Sequence, residues 1–135
     1  MMTRIVPASL DQLNVVQGFI DEMLAPIPCD PAAILTLQIA VEEIFVNIAS
    51  YAYAPGSGEA EICCEVEPEI PRITIQFRDQ GVPFNPLARK SADITLSAEE
   101  REIGGLGIFI AKKTMDHVTY AYENNENILT MIKKI

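Results

Sequence analysis

Apolar residues return along this chain with two different periods, and the switches between them divide it into alternating helices and strands. Residues 3–7 (Thr-Arg-Ile-Val-Pro) fit a short first strand. Ser9-Leu-Asp-Gln12 then reads as a capping box, with the Ser9 hydroxyl and the Gln12 side chain covering open backbone amides. Leu13, Val16, Phe19, Ile20, Met23 and Leu24 recur at helical spacing until Pro26 and Pro28 end the helix. Asp30-Pro31 repeats the start signal, an N-cap followed by proline at the first helical position. The second helix is expected to run to about Tyr53, where Ala54-Pro55-Gly56-Ser57-Gly58 breaks it.

Period two takes over after that break. Residues 59–67 and 72–78 read as strands around the turn Pro68-Glu69-Ile70-Pro71. Arg72-Ile-Thr-Ile-Gln-Phe-Arg78 alternates cleanly, so Ile73, Ile75 and Phe77 should face the core. From Gly81 to Ile103 the pattern dissolves into Val-Pro-Phe-Asn-Pro and a charged stretch, a length that suggests a lid or binding loop over 86–103. Helical spacing returns at Ile108, Ile110, Ala111 and Met115, and two closing strands, about 117–123 and 127–134, flank Asn124-Asn125-Glu126. The last four strands come as two hairpins. The expected fold is a two-layer α/β sandwich with a mostly antiparallel sheet, in one domain over residues 1–135.

Composition narrows the function. The net charge of −9, with 19 acidic against 10 basic residues, argues against direct nucleic-acid binding and against anionic membrane surfaces. Cys29 and the adjacent Cys63-Cys64, with one histidine, give neither a disulfide framework nor a zinc site. In a strand Cys63 and Cys64 would point to opposite faces. Neither a signal peptide nor an apolar run of membrane-spanning length is evident, so the cytoplasm is the expected compartment.

Three places carry candidate chemistry. At about 100° per residue, Ile34, Leu37, Val41, Ile44, Phe45 and Ile48 form one face of the second helix, with Glu43 and Asn47 one turn apart at its border. Asn47 offers a hard carbonyl oxygen to Mg²⁺, and Glu43 can accept a proton; Glu42 falls on another side. The strand ending Asp79-Gln80-Gly81 places a carboxylate where it can accept from an exocyclic amine, with Gly81 permitting close backbone approach. Gly104-Gly105-Leu106-Gly107 opens the third helix, where glycines let backbone amides turn toward phosphate. The Gly-x4-Gly-Lys-Ser/Thr pattern of a Walker loop is absent, and no strand leads directly into these glycines as a Rossmann fingerprint requires. His117 is expected to be a surface or structural residue.

Taken in order, Ala40-Val-Glu-Glu43, Asn47 and Tyr53, then Asp79-x-Gly-x-Pro-Phe-Asn-Pro86, then Gly104-Gly-Leu-Gly-Ile-Phe-Ile110 and Met115-Asp116, resemble the N, G1 and G2 boxes of the Bergerat-fold (GHKL, histidine kinase-like) ATPases. Within that superfamily the chain is most similar to the bacterial anti-sigma-factor serine/threonine kinases, over nearly its whole length from Ile34 to Lys134. The resemblance implies ATP with Mg²⁺ as cofactors. It makes the residue matching Asn47 a Mg²⁺ ligand, Glu43 a general base and Asp79 the reader of the adenine amino group. Gly81 belongs to the same turn, and Gly104, Gly105, Leu106 and Gly107 form the phosphate loop.

The implied partners are a sigma factor, which is sequestered, and a STAS-domain anti-anti-sigma protein, which is phosphorylated on Ser or Thr. Relatives often form homodimers through the first strand and helix. Some positions depart from the pattern. The usual glycine-rich turn before the last strand is Asn124-Asn125-Glu126-Asn127, the threonine often found just after it aligns with Ile128, and the arginine usual beside the phosphate loop is displaced to Arg101. Lys112 and Lys113 receive no role. The departures motivate an alternative, a nucleotide-binding module that sequesters a partner without kinase activity. A detached histidine-kinase catalytic domain is disfavoured, because no dimerisation helix or phospho-acceptor histidine context accompanies the motifs.

Overall fold

The computed structural model describes residues 1–88 and 105–135. Its elements in order are β1 (Met2–Pro7), α1 (Leu13–Leu24), α2 (Pro31–Asn47), β2 (Glu59–Glu67), β3 (Arg72–Asp79), α3 (Gly105–Thr114), β4 (His117–Glu123) and β5 (Glu126–Lys134). The strands form one antiparallel sheet in the order β1-β2-β3-β5-β4. The β2–β3 and β4–β5 hairpins are those expected. Glu123 pairs with Glu126, so the β4–β5 turn is Asn124-Asn125, both left-handed at φ 54° and 63°. Asparagine is among the few residues that visit this region readily, so the missing glycines do not disturb the hairpin.

Alternation decides which face of the sheet is packed. Ala60, Ile62 and Cys64 of β2, Ile73, Ile75 and Phe77 of β3, and Leu129 and Met131 of β5 are all buried. With Phe19 and Ile20 of α1, Leu37, Val41 and Phe45 of α2, and Ile108 and Ala111 of α3, they form one core between a helical layer and the sheet. Burying each large side chain of this set contributes about 1.5–3 kcal/mol relative to exposure. Cys63 and Cys64 point to opposite faces as expected, and burial in the core pushes the Cys64 thiol up to about 12.

Local detail departs from expectation at Ser9 and refines it elsewhere. Ser9 makes no side-chain cap bond; its hydroxyl donates to the Asp11 carboxylate, a charged and therefore stronger acceptor, while Leu10–Gln12 close a 3₁₀ turn ahead of α1. The second helix does reach Ala52, but beyond Asn47 it widens into a π turn over Ile48–Ala52. By length and mean hydropathy (1.6), Pro31–Ala52 is also apolar enough to cross a bilayer, although no such run was expected. Here Leu37, Ala40, Val41, Ile44 and Phe45 place that helix in the domain core. Of the expected lid, residues 86–88 form a short 3₁₀ turn, and 89–103 lie outside the described residues.

Candidate functional site

The start of α2 is fixed as its sequence requires: Asp30 is the N-cap and its carboxylate accepts from the Ala32 N–H at 3.0 Å. From there helical geometry carries Glu43 and Asn47 to the far end on one side. Glu42 is exposed and Glu43 is half-buried. Burial raises the Glu43 carboxyl above the usual carboxylate range, and the neighbouring Glu42 charge raises it further.

The π turn after Asn47 is where helix and sheet are fastened. The Ala52 carbonyl accepts from the Val82 N–H at 2.9 Å, so the turn leaving β3 lies directly on the helix end. Gly81 is the point of closest approach: a Cβ there would sit 2.1 Å from the Ala52 carbonyl oxygen and 2.5 Å from its carbon. Tyr53 adds a second tie, its hydroxyl receiving the Gln80 N–H at 2.7 Å and donating to the Glu59 carbonyl at 2.6 Å. Because the obstruction at Gly81 is backbone, no rotamer change relieves it. Gly81→Ala is expected to cost about 3 kcal/mol, lowering the melting midpoint by roughly 10 °C. A midpoint within about 2 °C of the parent would show that the turn is not pinned to Ala52.

Asp79 closes β3 on its packed face and is only 6% exposed. Directly across the β3–β5 ladder stands Asn127, 7% exposed. These two are the buried polar side chains among the described residues, and they are bonded to each other: Asn127 Nδ2 donates to Asp79 Oδ1 at 2.9 Å. The Gly81 N–H reaches the same oxygen at 2.9 Å. Asn127 Nδ2 also donates to the Val82 carbonyl at 2.9 Å. Its Oδ1 accepts from the Phe84 N–H at 3.1 Å and from the Tyr120 hydroxyl. A carboxylate this deep is tolerated because it is bonded.

Beside this pair opens a cavity of about 140 Å³, roughly ten times the ~10–15 Å³ that one water needs. Phe77 and Leu129 line it from the sheet, Ile44 and Ile48 from the helix, and Val82, Pro83, Phe84 and Pro86 from the segment after Gly81. Its polar rim is Asn47, Tyr51, Asp79, Tyr120 and Asn127. Such a cavity, apolar on its walls with a few polar groups, has the make-up of a small-molecule site.

Among the residues expected from sequence, Asn47 and Asp79 therefore share one cavity. Gly81 forms the turn beside it, and Glu43 lies one helical turn before Asn47 without lining it. Gly105, Leu106 and Gly107 make the first turn of α3, where backbone N–H groups lack helical partners, and α3 packs against α2. Gly104 and Arg101 lie outside the described residues. Lys112 and Lys113 sit in the last turn of α3, Lys113 over the Phe109 ring at 5.5 Å. His117 is exposed at the start of β4. Ile128 pairs with Arg78 and Ala121, off the cavity. The side chain facing Asp79 is Asn127, which sequence reasoning passed over. Among the described residues, no group of three or more His, Cys, Asp or Glu side chains could hold a metal ion by itself.

The sequence model of the histidine kinase-like ATPase domain matches residues 6–133. The serine-protein kinase RsbW of Listeria monocytogenes serovar 1/2a is 31% identical over 101 residues, covering 72% of this chain and 64% of the relative. RsbW of Staphylococcus epidermidis is 31% identical over 137 residues, covering 96% of this chain and 84% of the relative. The chain thus spans just under two thirds of the Listeria relative's length and most of the Staphylococcus one. Motif order, antiparallel sheet and these likenesses agree: the chain belongs to the histidine kinase-like ATPase domain family and, within it, to the bacterial anti-sigma-factor serine/threonine kinases.

Proposed function

We propose that residues 1–135 work as one cytoplasmic ATP-dependent serine/threonine protein kinase domain, with adenine in the cavity beside Asp79. The observation that carries this reading is the buried Asp79 carboxylate at the edge of an apolar slot that Asn47 also lines. An exocyclic amine is a donor such a carboxylate can accept, and apolar walls suit the rest of the base. Asn47 offers a carbonyl oxygen to Mg²⁺. Mg²⁺ commonly keeps water and phosphate oxygens beside one or two protein ligands, a set that Asn47 would join. The ion, when bound, would supply neutralisation of charge on the phosphates. Gly105, Leu106 and Gly107 would present amides to them at the start of α3, with Gly104 part of the same sequence motif.

Glu43 takes the proton from a Ser or Thr hydroxyl as the oxygen–phosphorus bond forms and the bond to ADP breaks. The family resemblance makes that hydroxyl part of a STAS-domain antagonist and makes a sigma factor the second partner, held by a kinase that itself forms a homodimer. Titration calorimetry with ATP tests the binding half. Mg²⁺ is expected to tighten ATP binding by roughly tenfold or more, and Asn47→Ala to lose most of that gain. Equal affinity with and without Mg²⁺ would take the metal out of the reading; absence of ATP binding would overturn it.

A further inference from the structure

The side chain opposite Asp79 is buried with it at the edge of the cavity. Asn127 spends its whole hydrogen-bonding capacity on this corner. Its amide N–H groups go to the Asp79 carboxylate and to the Val82 carbonyl, with a longer contact to the Gly81 carbonyl at 3.4 Å. Its carbonyl oxygen takes the Phe84 N–H and the Tyr120 hydroxyl. The amide orientation follows from chemistry: every neighbour of Nδ2 is an acceptor, and every neighbour of Oδ1 is a donor. One side chain therefore holds the carboxylate and, at the same time, the segment that walls the cavity.

We propose that Asn127 is a positioning and specificity-determining residue, keeping Asp79 a fixed pure acceptor so that the site takes 6-amino purine nucleotides and rejects 6-oxo ones. This rests on the ATP reading above. A carboxylate that receives two N–H bonds on one oxygen is held in one rotamer, and an ionised carboxylate has no hydrogen to offer a 6-oxo group. Without the Asn127 amide, Asp79 keeps only the Gly81 N–H on that oxygen and is freer to turn, which weakens its bias against an acceptor.

The test compares ATP with inosine triphosphate, in which a 6-oxo group replaces the 6-amino group, by titration on the full chain. The parent is expected to prefer ATP. Asn127→Ala should cut the ATP-to-inosine-triphosphate affinity ratio by roughly tenfold or more. Tyr120→Phe removes the hydroxyl's bond to Asn127 Oδ1 and its contact with the Phe84 N–H, and should cut the ratio two- to threefold, on the order of a few tenths of a decade. It keeps the test alive if the alanine variant fails to fold. If both nucleotides weaken equally in the variants that fold, Asn127 only supports the structure and the proposal is overturned. If the parent itself binds neither nucleotide, or shows no preference, the ATP reading falls and takes this one with it.

Discussion

Asp79→Asn is expected to lower ATP affinity by roughly 100-fold, about 2.7 kcal/mol, while leaving the protein folded. Both described bonds to the Asp79 side chain end on Oδ1. In asparagine the carbonyl oxygen keeps those two bonds, and the NH₂ group takes the place of Oδ2. The cavity then presents a donor where it had an acceptor. Facing the amino group of adenine, this leaves two donors opposed and neither satisfied, the costly arrangement for buried polar groups. Facing a 6-oxo purine, the same donor finds a partner, so the preference between ATP and inosine triphosphate should invert. Titration with both nucleotides decides the matter, with a thermal melt to confirm folding. A variant that still prefers ATP by the parent's margin would show that Asp79 does not read the amino group.

How such a site came to be half legible in the sequence follows from what holds each part. The elements built on local signals were readable: Asp30-Pro31 starts α2 by a contact two residues away, and Ile73, Ile75 and Phe77 follow the pleat of a strand. Asp79 and Gly81 are part of one tight turn, and their spacing already carried its geometry. Asn127 is different. It meets Asp79 across 48 residues of sequence, through a register fixed by the whole β3–β5 ladder. A displacement of one residue along a strand exchanges its two faces, so Ile128, the position aligned with the family's threonine, lies off the cavity while its neighbour Asn127 lines it. The Tyr53 tie and the π turn over Ile48–Ala52 were hidden for a related reason: both depend on how the helix end meets the β3 turn, and neither segment encodes that meeting alone.

Glu43→Ala should reduce phosphate transfer to the partner by roughly 10²–10⁴-fold while ATP affinity stays near that of the parent. Asn47 and Asp79 line the cavity and Glu43 does not, so the proposed adenine binding and proton transfer should be separable. The pH dependence gives a finer test. Burial, then Glu42, raises the Glu43 carboxyl, and only its ionised form accepts a proton. Transfer should therefore rise as pH climbs through that raised value, and Glu42→Gln should move the acid limb to lower pH. Stability runs the other way. A folded-state value above the unfolded one gives stability that is fully present below the unfolded carboxylate range and is lost as pH rises through the folded value. Glu43→Gln removes that loss, so its melting midpoint should exceed the parent's at neutral pH and match it in acid. Labelled ATP with a STAS-domain partner gives the transfer rates, and mass spectrometry gives the site. Undiminished transfer by Glu43→Ala would remove Glu43 as the base. A partner captured by the parent protein yet never phosphorylated would leave a sequestering module, with Glu43's raised carboxyl a consequence of its half-buried place on α2 and of no use to chemistry.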